Sequence, residues 1–220
     1  LNAAHVLSGL AGIWNDMNEP STGNIDPKPM RFDRGRYSHE RYHNQYALLM
    51  AMGTTAGLLD AMPERRTFVL SRAGFAGIQR YAANWMGDNQ SRWDHLWLSI
   101  AMGCAFGISG QAFVGADIGG FAGNSNAELF LRWMQYGTLT PFCRNHSEIG
   151  NVDQYAWAFG DVIQDHVRIA IKLRYRLLPY LYACFLRASE TGEPVQRPLI
   201  FDYHYDATVR DIDDQYLLGT

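Results

Sequence analysis

Short apolar runs alternate with longer segments of helical period along most of this chain, and that alternation constrains the fold more than any other feature. Buried parallel strands appear in a sequence as short apolar runs, while the helices that connect them carry an apolar stripe. The predicted strands cover residues 10–15, 66–71, 83–87, 111–116 and 141–145, and the predicted helices cover residues 38–61, 92–108, 126–139 and 161–189. The pattern therefore predicts an α/β domain with a parallel sheet.

The two longest predicted helices each have a predicted buried face. On the first, this face consists of Tyr42, Tyr46, Leu49, Met50 and Gly53. On the last, it consists of Ile163, His166, Ile169, Leu173, Leu177 and Leu181. Pro179 lies inside the last helix and is expected to kink it.

A polar residue stands at the carboxyl end of each predicted strand: Asp16, Arg72, Asp88, Asp117 and His146. The last three are separated by 29 residues each, which is one βα unit per step. In (β/α)8 barrels the chemistry lies at this end of the strands. Five strands cannot close a barrel, so we predict the C-terminal part of a (β/α)8 TIM barrel. An open doubly wound sheet is the alternative, although no G-x-G-x-x-G follows the first strand.

Residues 1–192 are predicted to form this partial barrel, and residues 193–220 are predicted to begin a C-terminal β domain. Pro194, Pro198 and alternating aromatic residues mark the change. The chain starts at Leu1 without a methionine or a signal-like segment and stops within a predicted strand. We therefore expect both ends to be cuts in a longer chain, which leaves localisation open.

Charge excludes two classes of partner. The net charge is −3 and the pI is about 6.2, so no broad basic field would bind a nucleic-acid backbone or an acidic membrane surface. Residues 96–116 contain no Asp, Glu, Lys or Arg over 21 positions, which is long enough for a membrane span. Gly103, Gly107 and the break at residues 109–111 favour a buried helix followed by a buried strand.

The cysteines predict neither a disulfide framework nor a zinc ribbon. Cys104, Cys143 and Cys184 are widely spaced and form no C-x-x-C pair. We predict three buried structural thiols.

Asp16 and Asp88 form a pair of carboxylates of the kind that acetal cleavage requires. One protonates the leaving oxygen, while the other attacks the sugar carbon or activates water. Each could instead cap a helix or pair with a buried partner. Nearby, Trp14, Trp85 and Phe121 are expected either in the core or on the wall of a sugar-binding pocket, because sugar rings present apolar faces to aromatic rings.

A second motif competes with this interpretation. His39, Glu40 and His43 match H-E-x-x-H, in which two histidines on one helix face bind zinc and the glutamate acts as a base. The only nearby third ligand is Glu64, just after a proline. The alternative is a solvated first helical turn in which His43 packs near the rim of the barrel.

The residues around Asp16 resemble a known signature. Gly12-Ile13-Trp14-Asn15-Asp16-Met17-Asn18-Glu19-Pro20-Ser21 resembles the nucleophile signature of glycoside hydrolase family 31, the α-glucosidase family. Further segments resemble the family in the same order: residues 71–74, 79–81, 85–89, 115–121 and 144–147. The resemblance extends from about residue 10 to residue 220.

The resemblance implies a retaining glycosidase in which Asp16 is the nucleophile and Asp88 the general acid/base. The implied substrate-binding set is Trp14, Met17, Arg72, Trp85, Asp117, Phe121 and His146. Within it, Arg72, Asp117 and His146 would hold hydroxyl groups of the glycone, and the others would line the same subsite. Glu19 would be a supporting loop residue. Met86 stands where the family usually has threonine, so the hydrogen bond of that hydroxyl is not expected here.

The implied substrate is a small α-glucoside or oligosaccharide, with no cofactor, metal, nucleic acid or membrane involved and with the oligomeric state open. A retaining pair predicts carboxyl groups about 5 Å apart, against about 6.5–9.5 Å for an inverting pair. The family's first three barrel strands would lie upstream of Leu1. The alternatives are a non-catalytic sugar-binding relative and an inactive fragment.

Overall fold

The computed structural model describes residues 9–219, so residues 1–8 of the predicted barrel segment and Thr220 lie outside the described residues. Two compact units divide between Asn84 and Trp85. The strands are β1 (Ile13–Asn15), β2 (Arg31–Phe32), β3 (Tyr37–Ser38), β4 (Val69–Ser71), β5 (Ala83–Trp85), β6 (Val114–Gly115), β7 (Asp117–Ile118), β8 (Arg144–Asn145), β9 (Gln196–Arg197) and β10 (Leu217–Leu218). The helices are α1 (His39–Tyr42), α2 (Tyr46–Ala61), α3 (Trp93–Ile108), α4 (Ala127–Gly137), α5 (Asp161–Thr191) and α6 (Leu199–Asp202). Every predicted strand is present and shorter than predicted, and every predicted helix is present, except that the helix predicted over residues 38–61 is divided into α1 and α2.

The first unit is built on parallel strands with a helix packed against them. β1 pairs with β4 in parallel, with Trp14 opposite Leu70, and β4 pairs with β5 in parallel, with Ser71 opposite Asn84. All three residues of β4 are buried. The carboxyl ends of β1 and β4 therefore lie side by side, which places the residues that follow them at one edge of the sheet.

The predicted buried face of α2 is wrong. Leu49 and Met50 are 42% and 39% exposed. The buried residues are instead Ala47, Ala51, Thr55 and Leu58. These mostly small side chains recur at helical spacing, and small residues let a helix lie close to the strands it covers. The Thr55 hydroxyl also donates to the Tyr81 carbonyl at 3.0 Å, which satisfies the one polar side chain on that face.

The second unit also contains parallel pairing. The Met86 N–H donates to the Gly115 carbonyl at 3.1 Å, which fixes the chain leaving β5 beside β6. β7 pairs with β8 in parallel, with Asp117 opposite Arg144. The strand predicted over 111–116 thus appears as β6 alone, and β7 begins after Ala116, beyond the predicted end.

The core of the second unit lies between α4, α5 and the strands. Asn126 caps α4 by accepting a hydrogen bond from the Leu129 N–H at 2.9 Å. The buried cluster consists of Leu96, Ile118, Leu129, Phe130, Trp133, Met134, Val167 and Ala170. This amphipathic packing holds α4 and α5 behind the strands whose ends carry the polar residues.

The longest helix, α5, continues past Pro179 and ends at Gly192, whose φ of 79° lies in the left-handed region. Of its predicted stripe, Leu181 is buried and Ile163 is partly buried against the core. Ile169 is 65% exposed, and the buried residues are Val167, Ala170 and Leu181. Val167 and Ala170 of α5 pack in one buried cluster with residues of α4. The buried face of α5 is therefore not the stripe that periodicity alone predicts.

Beyond α5, β9 and β10 form an antiparallel pair, with Arg197 opposite Leu217. The domain boundary after residue 192 stays a prediction. Within residues 9–219, no helix combines the length and hydropathy of a membrane span. All three cysteines are free, with Cys104 buried and Cys143 and Cys184 partly buried.

Candidate active site

The turn after β1 brings Asp16 next to Arg72, which follows β4. The Arg72 Nη1 lies 3.3 Å from the Asp16 carboxylate. Arg72 also donates two hydrogen bonds to Glu19, from Nε at 2.8 Å and from Nη2 at 2.9 Å. The side chains of Arg72, Asp16 and Glu19 are 18%, 35% and 40% exposed. Glu19 therefore holds the Arg72 guanidinium in an orientation that also brings it close to Asp16.

A buried asparagine holds this turn against the end of β4. The Asn18 side chain donates to the Ser71 hydroxyl at 2.8 Å and accepts from the Ala73 N–H at 2.9 Å. Asn18 has no exposed surface. Met17 has a φ of 54°, and its N–H donates to the Asp16 carboxylate at 2.8 Å. The main chain thus turns sharply at the residue that follows Asp16 and directs the carboxylate out of the sheet.

Arg72 favours the charged form of Glu19. The hydrogen bonds from Arg72 lower the pKa of Glu19 below its ordinary value of 4.5. The positive charge of the guanidinium acts in the same direction, and partial burial opposes it. Glu19 is therefore ionised at neutral pH and balances the charge of Arg72.

Two predicted pocket residues in the first unit have exposed side chains. Trp14 is 48% exposed and Met17 is 54% exposed. Trp14 is therefore not a core residue of the described chain, and both side chains have apolar surface available beside Asp16.

In the second unit, a buried ion pair joins the ends of β7 and β8. The Arg144 Nε and Nη2 lie 2.7 Å and 2.6 Å from the Asp117 Oδ1. The Asp117 side chain has no exposed surface. The Cζ of Arg144 lies 4.7 Å from the centroid of the Trp85 ring, which is 1% exposed.

The family resemblance implies that Asp117 holds a hydroxyl of the glycone and that Trp85 lines the same subsite, and both assignments stay predictions. Asp117 has no exposed surface, and Arg144 lies in register across from it. Trp85 is also buried, and its ring packs under the Arg144 guanidinium.

Asp88 is exposed and lies between Gly87 and Asn89. Gly87 takes a φ of 79°, and Asn89 is 9% exposed. The Asn89 side chain donates to the Asp117 carbonyl at 3.0 Å and accepts from the Phe121 N–H at 2.9 Å. The turn that carries Asp88 is therefore fixed to the loop that follows β7.

The same loop places Phe121 against His146. Their rings stack with centroids 5.4 Å apart and an angle of 19° between the planes. The Phe121 carbonyl accepts hydrogen bonds from the Glu148 N–H at 2.9 Å and from the Asn151 side chain at 2.8 Å. The two predicted subsite residues are thus brought together at one end of the second unit.

Arg144 and Asn89 carry much of this arrangement, and sequence reasoning assigned a role to neither. Arg144 lies within the predicted strand rather than after it, and Asn89 ends the segment 85–89 that resembles the family. The signal for Arg144 was a charged residue in an otherwise apolar strand. A buried charge requires a partner.

The H-E-x-x-H residues occupy an aromatic cluster. The rings of His39 and His43 lie 4.6 Å apart at 30°, and His39 also stacks on Phe32 at 6.2 Å. Glu64 joins no metal-ligand group with them, and residues 9–219 contain no group of three or more such ligands. The arrangement fits the packing interpretation and offers a metal two ligands at most.

Comparison with known proteins identifies several relatives. A family profile described as "Glycosyl hydrolases family 31 TIM-barrel domain" matches residues 1–184. The chain is 47% identical over 216 residues to alpha-glucosidase 2 of Bacillus thermoamyloliquefaciens, covering 96% of this chain and 27% of that protein. It is 44% identical over 211 residues to neutral alpha-glucosidase AB of Homo sapiens, covering 94% and 22%.

A solved structure, the Flavobacterium johnsoniae GH31 dextranase complexed with glucose, superposes on the chain with a TM-score of 0.90. The identity is 32%, and the match covers 98% of this chain and 28% of that one. The chain thus spans about a quarter of the length of these relatives. The predicted fold, part of a TIM barrel, is confirmed.

Proposed function

This chain belongs to glycosyl hydrolase family 31, and we propose that it carries both catalytic carboxylates of a retaining α-glucosidase. Asp16 is the nucleophile and Asp88 the general acid/base. The observation that carries the proposal is the Asp16 carboxylate held 3.3 Å from an arginine that Glu19 fixes in place. Such a carboxylate is oriented and partly open to solvent, which are properties a nucleophile needs.

The proposed reaction has two steps. In the first, Asp88 donates its proton to the glycosidic oxygen while an oxygen of Asp16 bonds to the anomeric carbon, which releases the aglycone. In the second, Asp88 takes a proton from water, the water oxygen bonds to the anomeric carbon, and the Asp16 carboxylate leaves. Two inversions give net retention of the α configuration. The mechanism requires the two carboxyl groups to be about 5 Å apart.

The proposed glycone subsite uses residues that the family resemblance implies. Arg72 donates to sugar hydroxyls and stabilises the charge of Asp16. Trp14 and Met17 supply apolar surface for the face of the sugar ring, and the stacked rings of Phe121 and His146 supply a wall with one polar edge. The names of the curated relatives support α-glucosides as the substrate class.

We also propose that residues 193–220 begin a C-terminal β domain. The family profile ends at residue 184. Beyond it, the antiparallel pairing of β9 and β10 departs from the parallel pairing of β1 with β4, β4 with β5 and β7 with β8. Limited proteolysis of the full-length protein tests this boundary: cleavage is expected near Gly192 and not within α5.

The function is tested by the response of each variant to the leaving group, using the protein encoded by the full open reading frame. Asp16→Ala is expected to lose activity on both p-nitrophenyl α-glucoside and maltose. Asp88→Ala is expected to lose about 10²–10⁴-fold on maltose, because general acid help is worth that much. It should still release nitrophenolate, which leaves without a proton.

Asp60→Ala serves as the control, because Asp60 is an exposed carboxylate at the end of α2. It is expected to match the wild type on both substrates. A non-catalytic sugar-binding relative would bind glucosides but cleave neither substrate in any form. Equal losses on both substrates for Asp88→Ala would contradict its role as the acid.

A further inference from the structure

Both chain neighbours of the Asp88 turn are tied to the same buried ion pair. Trp85, three residues before Asp88, lies under the Arg144 guanidinium at 4.7 Å. Asn89, directly after Asp88, donates its side-chain hydrogen bond to the main-chain carbonyl of Asp117 at 3.0 Å. Asp117 in turn holds Arg144 through its carboxylate at 2.6–2.7 Å. The turn is thus fixed from both sides through Asp117 and Arg144.

We propose that Arg144 is a positioning residue for the general acid, acting through Trp85 and Asp117 rather than on the substrate. This proposal rests on the proposed role of Asp88. Arg144 is 15% exposed and Asp117 is fully buried, and the Asp117 Oδ1 lies 2.6 Å from Nη2 and 2.7 Å from Nε of Arg144. Their register across β7 and β8 keeps the pair at the ends of both strands.

The shape of the guanidinium is what this role requires. Its edge bonds to the Asp117 carboxylate while its face covers the Trp85 ring. A planar, delocalised cation satisfies both contacts at once, whereas a lysine ammonium is a point charge that satisfies the carboxylate and leaves the ring face uncovered. Lysine therefore keeps the charge balance of the buried pair and removes the contact that fixes Trp85.

Removing the charge altogether would have a different effect. A buried carboxylate left without its partner is strongly destabilising, so Arg144→Met would report on folding rather than on positioning. Arg144→Lys avoids this problem. Trp85→Phe provides a second, independent variant, because it keeps an apolar ring under Arg144 but makes the ring smaller and weakens its attraction for the cation.

The experiment compares the two leaving groups in the full-length enzyme. In Arg144→Lys, maltose turnover is expected to fall about 10–100-fold, because a small displacement of a catalytic group costs up to about that much. The kcat/KM for nitrophenyl glucoside should change by less than about threefold, because forming the glycosyl-enzyme from that substrate does not need the acid. Trp85→Phe should show the same pattern with a smaller loss.

Arg132→Lys is the matched control. Arg132 is 55% exposed and lies 4.0 Å from Glu128 on the surface of α4. Its replacement by lysine should therefore leave the activity on both substrates unchanged. Equal losses on both substrates in Arg144→Lys and Trp85→Phe would overturn the proposal and leave a structural role only. So would full maltose activity in both variants.

The two proposals fail differently. If Asp88→Ala itself shows no dependence on the leaving group, the proposed function fails, and the Arg144 proposal falls with it. If Asp88→Ala shows that dependence and neither Arg144→Lys nor Trp85→Phe does, the positioning role alone is refuted. If Arg144→Lys does not fold, the Trp85→Phe result decides.

Discussion

Replacing Glu19 with glutamine should lower catalytic efficiency without removing any group proposed to take part in the chemistry. Glu19 accepts two hydrogen bonds from Arg72, at 2.8 Å and 2.9 Å. Glutamine keeps one acceptor oxygen and presents an NH₂ group where the second oxygen stood. One hydrogen bond is lost, two donors face each other, and the guanidinium is free to rotate away from Asp16.

The magnitude follows from the hydrogen bond and its exposure. A hydrogen bond to a charged group contributes about 1.5–3 kcal/mol. The side chains of Arg72 and Glu19 are 18% and 40% exposed, so solvent screening reduces that contribution. We expect a loss of about 1–1.5 kcal/mol, which corresponds to about tenfold in kcat/KM if it is felt in the transition state.

The pH dependence of stability has a definite sign. Arg72 lowers the pKa of Glu19 from 4.5, so the unfolded chain takes up the proton at a higher pH than the folded chain does. The stabilisation by Glu19 is therefore fully present above about pH 4.5 and is lost as the pH falls through the lower folded pKa. The stability difference between wild type and Glu19→Gln should be constant near neutral pH and should shrink below about pH 4.5.

The assay is kcat/KM for p-nitrophenyl α-glucoside at pH 6–7, with thermal unfolding followed from pH 3.5 to 7. Asp94→Asn is the matched control, because Asp94 also accepts two hydrogen bonds from an arginine, at 2.9 Å and 2.6 Å, but at a site 60% exposed. Asp94→Asn should change neither kcat/KM nor the thermal unfolding of the protein. Unchanged kcat/KM in Glu19→Gln would refute the claim that Glu19 positions Arg72.

Two further predictions concern packing and metal. A Cβ at Gly115 would overlap the Phe142 main-chain carbonyl, so Gly115→Ala should give insoluble or strongly destabilised protein, measured by soluble yield and unfolding midpoint. Gly53→Ala, where a Cβ meets nothing within 4 Å in the middle of α2, should be neutral or stabilise by up to about 1 kcal/mol. Full-length enzyme dialysed against a chelator should keep its activity and contain no stoichiometric zinc. Loss of activity that zinc restores would revive the role of His39 and His43 as metal ligands.

The sequence predicts the order of elements well because buried parallel strands and their connecting helices have distinct periodicities. It predicts helix faces poorly. On α2, Leu49 and Met50 are the most apolar candidates, yet Ala47 and Ala51 are buried. Periodicity identifies which residues share a face, but the neighbour's shape decides which face is buried, and a tightly packed neighbour selects small residues.

The sequence predicts the placement of some candidate-site residues and not of others. Asp16 and Arg72 were predicted because each follows a strand, and pairing of β1 with β4 brings them together. Asp117 follows the same rule but is buried under Arg144. The register of β7 against β8 decides that outcome, and a single sequence does not specify the register of two-residue strands.

The central claim is that Asp16 forms the covalent intermediate and Asp88 serves it as acid and base. The most direct test is the configuration of the product formed from p-nitrophenyl α-glucoside and azide by each alanine variant. With Asp88→Ala, the covalent intermediate should accumulate and azide should displace Asp16, giving glucosyl azide of retained α configuration. With Asp16→Ala, azide should attack the substrate itself and give the inverted β-azide. The opposite assignment, a β-azide from Asp88→Ala and an α-azide from Asp16→Ala, would contradict the account by exchanging the two roles.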